Sequence, residues 1–206
     1  DVLGSRGLGD VYKRQVLRGP LEDGIISISR VNASLTYPCN FMFVASMNPC
    51  PCGFYGSKEK ECTCSPQAIQ RYMGKISGPL LDRIDIQIEV TAVKYQKLEA
   101  EDETENSNKI KERVNKARKV QQERYKENGI YSNAELTPKL LSKYCKLDKE
   151  SKAIMQNAFE KLGLSARAHG RILKVARTIA DLDEEENIKV KHIAEAIQYR
   201  SLDKKY

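Results

Sequence analysis

Three hydrophobic patterns follow one another along the chain. Residues 25–30 (IISISR) and 33–38 (ASLTYP) place apolar and hydroxyl side chains alternately, with Val31 and Asn32 between them. This spacing predicts a β-hairpin turning at those two residues. Residues 41–47 (FMFVASM) form an uninterrupted apolar run without a charge, which predicts a strand buried on both faces, as in a parallel sheet. The run stops abruptly at Asn48-Pro49. Residues 84–90 (IDIQIEV) alternate strictly and predict a further strand.

The remaining segments read as helices. Residues 16–24 (VLRGPLEDG) end a helix, with Gly24 as its stop signal. Ser65-Pro66 places an N-cap residue and a first-turn proline ahead of QAIQRYM. Beyond residue 106 helices are expected over 107–128, stopping at Gly129, and over 138–144, 148–162, 165–182 and 190–199. In the fourth of these, Ala168, Ile172, Val175, Ala176 and Ile179 recur on one face. Residues 94–106 (KYQKLEAEDETEN) are polar and acid-rich, and read as an exposed linker between two subdomains. The fold class expected is α/β over residues 16–93, then all-α over 107–206.

Residues 1–15 (DVLGSRGLGDVYKRQ) resemble none of this. Gly4, Gly7 and Gly9 suggest a phosphate-binding loop, but no Gly-Lys-Ser/Thr follows them. The segment reads as a non-native, adapter-derived start, with the native sequence resuming near Val16.

Composition narrows the setting. The 206 residues are 40% hydrophobic and 31% charged, which fits a globular chain and excludes a disordered one. No apolar run is long enough to span a membrane, and no secretory signal pattern opens the chain. Six cysteines without such a signal point to a reducing, cytoplasmic setting in which clustered thiols suggest metal before disulfides. A net charge of +7 is compatible with a nucleic-acid partner.

Candidate chemistry lies in four places. Cys50, Cys52, Cys62 and Cys64 form two Cys-x-Cys pairs nine residues apart in a polar loop. Four thiolates can complete a closed, structural zinc shell; the alternative is a set of reduced thiols. Cys39 and Cys145 stand apart and read as plain buried thiols. Arg83 precedes the 84–90 strand, where Asp82 and Asp85 could hold its guanidinium, either for function or as a local ion pair. Arg167 and Arg171 lie four apart at the start of a helix. Arginines there oppose the helix dipole but suit a docked phosphate; the alternative is a solvated basic face. The helix from 107 to 128 is strongly basic, and could face phosphates or simply solvent. His169 and His192 fall on separate helices and read as structural.

These residues carry a family resemblance. PLEDGIISISR, YPCNFMFVASMNPCPCGFYG and CTCSPQAIQRYMGKISGPLLDRIDIQIEV, with the later LSARAHGRILKVARTIADLDEEENIKVKHIAEAIQYR, resemble the magnesium-chelatase-like AAA+ ATPases. The likeness is strongest to the competence-protein-M-like (YifB) bacterial branch and covers about residues 16–200. It implies the C-terminal part of a P-loop NTPase core, with an incomplete parallel sheet, followed by a helical lid. Asn48 then stands at the sensor-1 position, where its amide would orient the attacking water. Arg83 stands at the arginine finger, which reaches a neighbouring subunit's ATP. Arg167 stands at sensor 2, with Arg171 beside it, contacting phosphates from the lid. Residues 24–38 match the insert hairpin that points into the pore of the ring. ATP and Mg²⁺ as cofactors, a hexameric ring and DNA as a partner are further implications.

The sequence also departs from that pattern. It has neither a Walker A loop nor a Walker B strand, both of which belong before Val16. Residues 181–186 (DLDEEE) follow a helix and are no Walker B. The chain alone is therefore expected to be inactive, within a parent that is an ATP-driven DNA motor of recombination or natural transformation. Two other readings stand beside it: an ATPase-type subunit of magnesium chelatase, and a zinc-stabilised interaction module without catalysis.

Overall fold

The computed structural model describes residues 16–30, 33–90 and 105–200. The 1–15 segment and the Val31-Asn32 turn lie outside these residues, as does the acidic linker up to residue 104. The chain divides into two compact units between Ile84 and Asp85. Among the described residues the architecture is mainly helical, with one two-stranded sheet.

The first unit begins with helix α1 (Arg18–Asp23), which ends where Gly24 turns left-handed at φ 64°. Here glycine is favoured chiefly by the backbone. Positive φ disfavours any side chain, and a Cβ would stand 2.7 Å from Oδ1 of Asn40. Strands β1 (Ile25–Arg30) and β2 (Ala33–Pro38) then pair antiparallel, from Ile25 opposite Pro38 to Arg30 opposite Ala33. Hydroxyl pairs Ser27–Thr36 and Ser29–Ser34, each at 3.2 Å, stack along one face. Every described residue of both strands is exposed, so neither face is packed into a core.

The two other predicted strands do not form. Residues 39–48 carry no ladder, and Met42 and Val44 are more than four-fifths exposed. Residues 84–90 are likewise unladdered, and their alternation is inverted relative to a core. Gln87 is buried, its N–H donating to the Tyr199 carbonyl at 2.8 Å, while Ile86, Ile88 and Val90 face outward. A hydrophobic pattern specifies which faces can be buried, but a strand needs neighbours for its N–H and C=O groups. Among the described residues β1 and β2 pair only with each other, and nothing supplies a ladder to these two segments.

After the cysteine loop come α2 (Pro66–Met73) and the short α3 (Gly78–Leu81). Ser65 caps α2 by accepting from the Ala68 N–H at 3.2 Å, with Pro66 in the first turn. Across this unit Arg18 donates to the Ser77 hydroxyl at 2.8 Å.

The second unit is a helical bundle. Its elements are α4 (Ser107–Tyr125), a 3₁₀ turn at Lys126–Asn128, another at Asn133–Glu135, α5 (Pro138–Tyr144), α6 (Lys149–Leu162), α7 (Ala166–Leu182) and α8 (Val190–Gln198). Their ends follow the local signals: Asn106, Asp148 and Ser165 cap α4, α6 and α7 through their side chains, and Gly129 and Gly163 are left-handed stops. Helix α7 is central, packing against α4, α5, α8 and the 133–135 turn. The predicted apolar face of α7 forms the core: Ala168, Ile172, Ala176 and Ile179 are buried and Val175 partly so. Tyr125, Leu136, Met155, Ile188 and Ile193 complete it.

Asp183 marks a pH-sensitive point just past α7. It accepts from Lys191 at 2.6 Å and lies 3.2 Å from Nε2 of the buried His192. The Lys191 ammonium, helped by His192, holds its carboxyl below the usual range. Because the folded value is depressed, the stabilisation is complete above the unfolded value of about 3.9 and is lost as pH falls through the folded one. Asp183→Asn is expected to lower the urea midpoint at neutral pH and to flatten its fall on acidification, so that variant and wild type converge at low pH. An unaltered acid limb would remove Asp183 from that role.

Candidate functional site

The cysteine loop is the most closely defined candidate site. Residues 49–56 turn tightly, with Gly53 at φ 84° and Gly56 at φ 81°, and the Gly53 N–H donates to the Cys50 carbonyl at 3.1 Å. This turn brings Cys50 and Cys52 against Cys62 and Cys64 from the returning arm. Sulfur separations are 3.3 Å for Cys50–Cys52, 3.5 Å for Cys52–Cys62 and 3.7 Å for Cys50–Cys62, and all four sulfurs lie within 4.8 Å of one another. A tetrahedral ion with Zn–S bonds of about 2.3 Å needs sulfurs about 3.8 Å apart, so the donor set fits a thiophilic metal.

The electrostatics of the cluster are uneven. The Phe54 N–H, with contacts from Cys50 and Cys64, draws the Cys52 thiol down to about 6. Cys62 is pushed up to about 12: the Cys64 N–H lowers it, but desolvation and the neighbouring sulfurs outweigh that. Four thiols this close cannot all ionise without a cation among them. Of the other cysteines, Cys145 is buried as expected, and burial raises its thiol to about 11. Cys39, expected to be buried, is only half-buried, just ahead of the 41–47 segment that carries no ladder.

Asn48 is exposed and sits two residues before the buried Cys50. Its amide nitrogen lies 3.8 Å from where a Cβ on Gly53 would be, which puts it beside the cysteine turn.

Arg83 follows α3, and its side chain is largely buried. One terminal nitrogen donates to the Pro79 carbonyl at 2.6 Å and the other pairs with Glu22 at the end of α1. Its buried Nε has no hydrogen-bond partner among the described residues. The expected flanking grip through Asp85 is not formed, because Asp85 pairs with Arg171 instead, at 2.5 Å. A partner 61 positions away in sequence left no local signal.

Arg167 and Arg171 occupy the first turns of α7, in the second unit. Arg167 is exposed, whereas Arg171 is half-buried and held by Asp85. Ser165 already accepts from the Ala168 N–H, so it satisfies one of the helix's initial donors. The histidines are placed as structural residues. His192 is buried and accepts from the Lys189 N–H at 3.0 Å, and the His169 ring meets Phe159 edge-on at 5.7 Å.

One cluster was missed in the sequence. Asp181, at the end of α7, accepts from Arg124 at 2.5 and 3.0 Å, from Nε of Arg177 at 3.2 Å and from Asn133 at 2.9 Å. Arg177 also donates to the carbonyls of Glu185 and Glu186, each at 2.7 Å, and Tyr125 donates to Asn133 at 2.6 Å. Against the lowering effect of burial, the Asp181 carboxylate holds Arg124 more firmly protonated than usual. The signal available was Arg177-x-x-x-Asp181, an i, i+4 pair on an otherwise apolar helix.

Comparison with known proteins places this arrangement. Residues 11–98 match the family model for magnesium chelatase, subunit ChlI, and residues 104–200 match that for the C-terminal part of the same subunit. The chain is 44% identical over 195 residues to the competence protein ComM of Haemophilus influenzae, covering 93% of this chain and 37% of that protein. It is 40% identical over 189 residues to the uncharacterized protein YifB of Escherichia coli, covering 91% and 36%. A protein of Mycobacterium tuberculosis, Rv2897c, is 32% identical over 186 residues, covering 90% and 36%. The chain thus spans little more than a third of the length of these relatives. Matched by both parts of the family's description, the chain belongs to the magnesium-chelatase-like family of AAA+ ATPase-type proteins.

Proposed function

We propose that this chain supplies the sensor and lid portion of a ring-forming ATPase that moves on DNA. The observation that carries the reading is the coincidence of Asn48, Arg83 and Arg167 with three polar positions of the family pattern. Asn48 follows the apolar run, Arg83 follows α3 and Arg167 opens α7. In a complete ring, Asn48 would orient the attacking water and Arg83 would enter the neighbouring subunit's site. Arg167, with Arg171, would meet the phosphates from the lid. Charge grows on phosphoryl oxygens during transfer, and fixed guanidinium groups stabilise it. ATP and Mg²⁺ are the cofactors of that complete protein, and its ring is a cytoplasmic hexamer. The four-cysteine centre takes Zn²⁺.

The exposed apolar segments fit the same reading. Phe41–Met47 and Ile84–Val90 have the pattern of sheet strands and no ladder among the described residues. In the complete protein they would pair with strands of the P-loop core. The sequence contains no Gly-Lys-Ser/Thr, so the chain alone is expected not to hydrolyse ATP. A chimaera with residues 16–200 in place of the matching segment of the H. influenzae relative tests the reading. Magnesium-dependent ATP turnover that disappears when residues 16–200 are left out supports it; a chimaera that folds, forms rings and never hydrolyses ATP rejects it.

DNA as the partner rests on a relative's name, competence protein, and on the surface of α4. Lys109, Lys111, Arg118 and Lys119 are exposed there. If they neutralise phosphates, the slope of log affinity against log salt changes by about 0.9 per contact on duplex DNA. Replacing the four by alanine is expected to flatten that slope by about 3.6 units in the chimaera. An unchanged slope moves the DNA surface elsewhere. The magnesium-chelatase name of the family models favours a second reading, a chelatase motor subunit. Stimulation of a porphyrin-metallating partner, with no DNA affinity, would select it.

A further inference from the structure

Asn48 adjoins the cysteine cluster both in sequence and in space. Asn48 is joined to the buried Cys50 through Pro49, and its amide nitrogen lies 3.8 Å from the position a Cβ on Gly53, next to Cys52, would take. Among the described residues no ladder holds the 39–48 segment. On the other arm, Cys64 is followed immediately by Ser65, the cap of α2. The four sulfurs therefore tie the end of the apolar segment to the start of a helix. As thiols they hold each other only through weak S–H···S contacts. As thiolates they would repel one another.

We infer that Cys50, Cys52, Cys62 and Cys64 bind one Zn²⁺ as a closed centre, and that this centre fixes the position of the Asn48 side chain. Each cysteine binds as a thiolate, any proton it still carries passing to solvent as its Zn–S bond forms, and nothing is oxidised or reduced. The Zn²⁺ charge offsets the mutual repulsion of four thiolates whose sulfurs lie within 4.8 Å of one another. Asn48 then becomes a positioned amide at the rim of a rigid loop. The importance of that position for hydrolysis rests on the function proposed above. The metal and its hold on Asn48 do not.

The test uses the chain itself, labelled with ¹⁵N. Zinc is quantified by elemental analysis, then replaced by Co²⁺ to read the tetrahedral thiolate spectrum. The Asn48 side-chain amide, assigned with Asn48→Asp, is followed while a chelator removes the metal. One zinc per chain, a tetrahedral cobalt spectrum, and a shifted or broadened Asn48 resonance on removal are expected. The His192 and Ile193 amides, in the helical bundle, should stay unchanged. Cys62→Ser with Cys64→Ser should lose the metal, whereas Cys39→Ser should retain it. Four reactive thiols in the presence of zinc, with no bound metal, would overturn the site. A bound metal whose removal leaves the Asn48 resonance untouched would overturn the positioning. Neither readout involves ATP or DNA, so failure here is distinct from failure of the motor reading.

Discussion

Replacing Arg83 by alanine in the chimaera is expected to lower ATP turnover by about 10³- to 10⁵-fold, the range measured for arginine fingers in GTPases. The effect is large because the guanidinium would act only on charge that develops in the transition state, in a site from which water is excluded. Its surroundings suit such a task. The side chain is largely buried, oriented by the Pro79 carbonyl and Glu22, and keeps an Nε donor without a partner among the described residues. The Arg83→Lys variant should not rescue activity, since an ammonium lacks the planar fork. Mixing Arg83→Ala subunits with subunits defective in nucleotide binding separates the two possible roles. Recovery of turnover in the mixed ring means that Arg83 serves a neighbour's site, as a finger does. Turnover that is nearly normal in the single variant means that Arg83 is only the local ion pair with Glu22.

The second large effect is on stability. Asp181→Ala is expected to destabilise the helical bundle by about 3–5 kcal/mol, because it leaves buried cations without their counter-charge. Arg177 and Asp181 are both about 2% exposed, and Arg124 and Asn133 converge on the same carboxylate. Against a typical total of about 5–15 kcal/mol, that loss removes much of the folded population at moderate urea. Lys116→Ala is the matched control. Its partner Glu184 and Lys116 itself are both 68% exposed, so about 0–1 kcal/mol is expected. Urea unfolding followed by helical circular dichroism reads both. Equal midpoints for the two variants would mean that the buried network is not what holds α4 to α7.

Much of the second unit was legible because its signals are local. The helix expected from Ser165 is capped by that residue, Gly129 ends the helical stretch it was expected to stop, and the 3.6-residue spacing of Ala168, Ile172, Ala176 and Ile179 identified the buried face of α7. A helix satisfies its own backbone, so a pattern within about fifteen residues suffices to specify it. The same holds for the hairpin, whose two strands lie next to each other in the sequence and pair with each other. Asp181 escaped notice because its partners arrive from α4, from Asn133 and from the carbonyls past α7.

By itself, the sequence determined the helices, their caps, the hairpin and the four-cysteine donor set. It also carried the residues that mark the family. Only the tertiary structure decided that the four sulfurs converge within 4.8 Å, that Asn48 lies beside their turn, and that Arg83 pairs with Glu22 while Asp85 takes Arg171. It also decided that two strand-like segments remain without ladders among the described residues. The reason is the range of the interaction. Helix periodicity, caps and turns are written within one or two turns of chain. A strand's backbone partners, a guanidinium's carboxylate and a metal's fourth ligand come from wherever the fold delivers them.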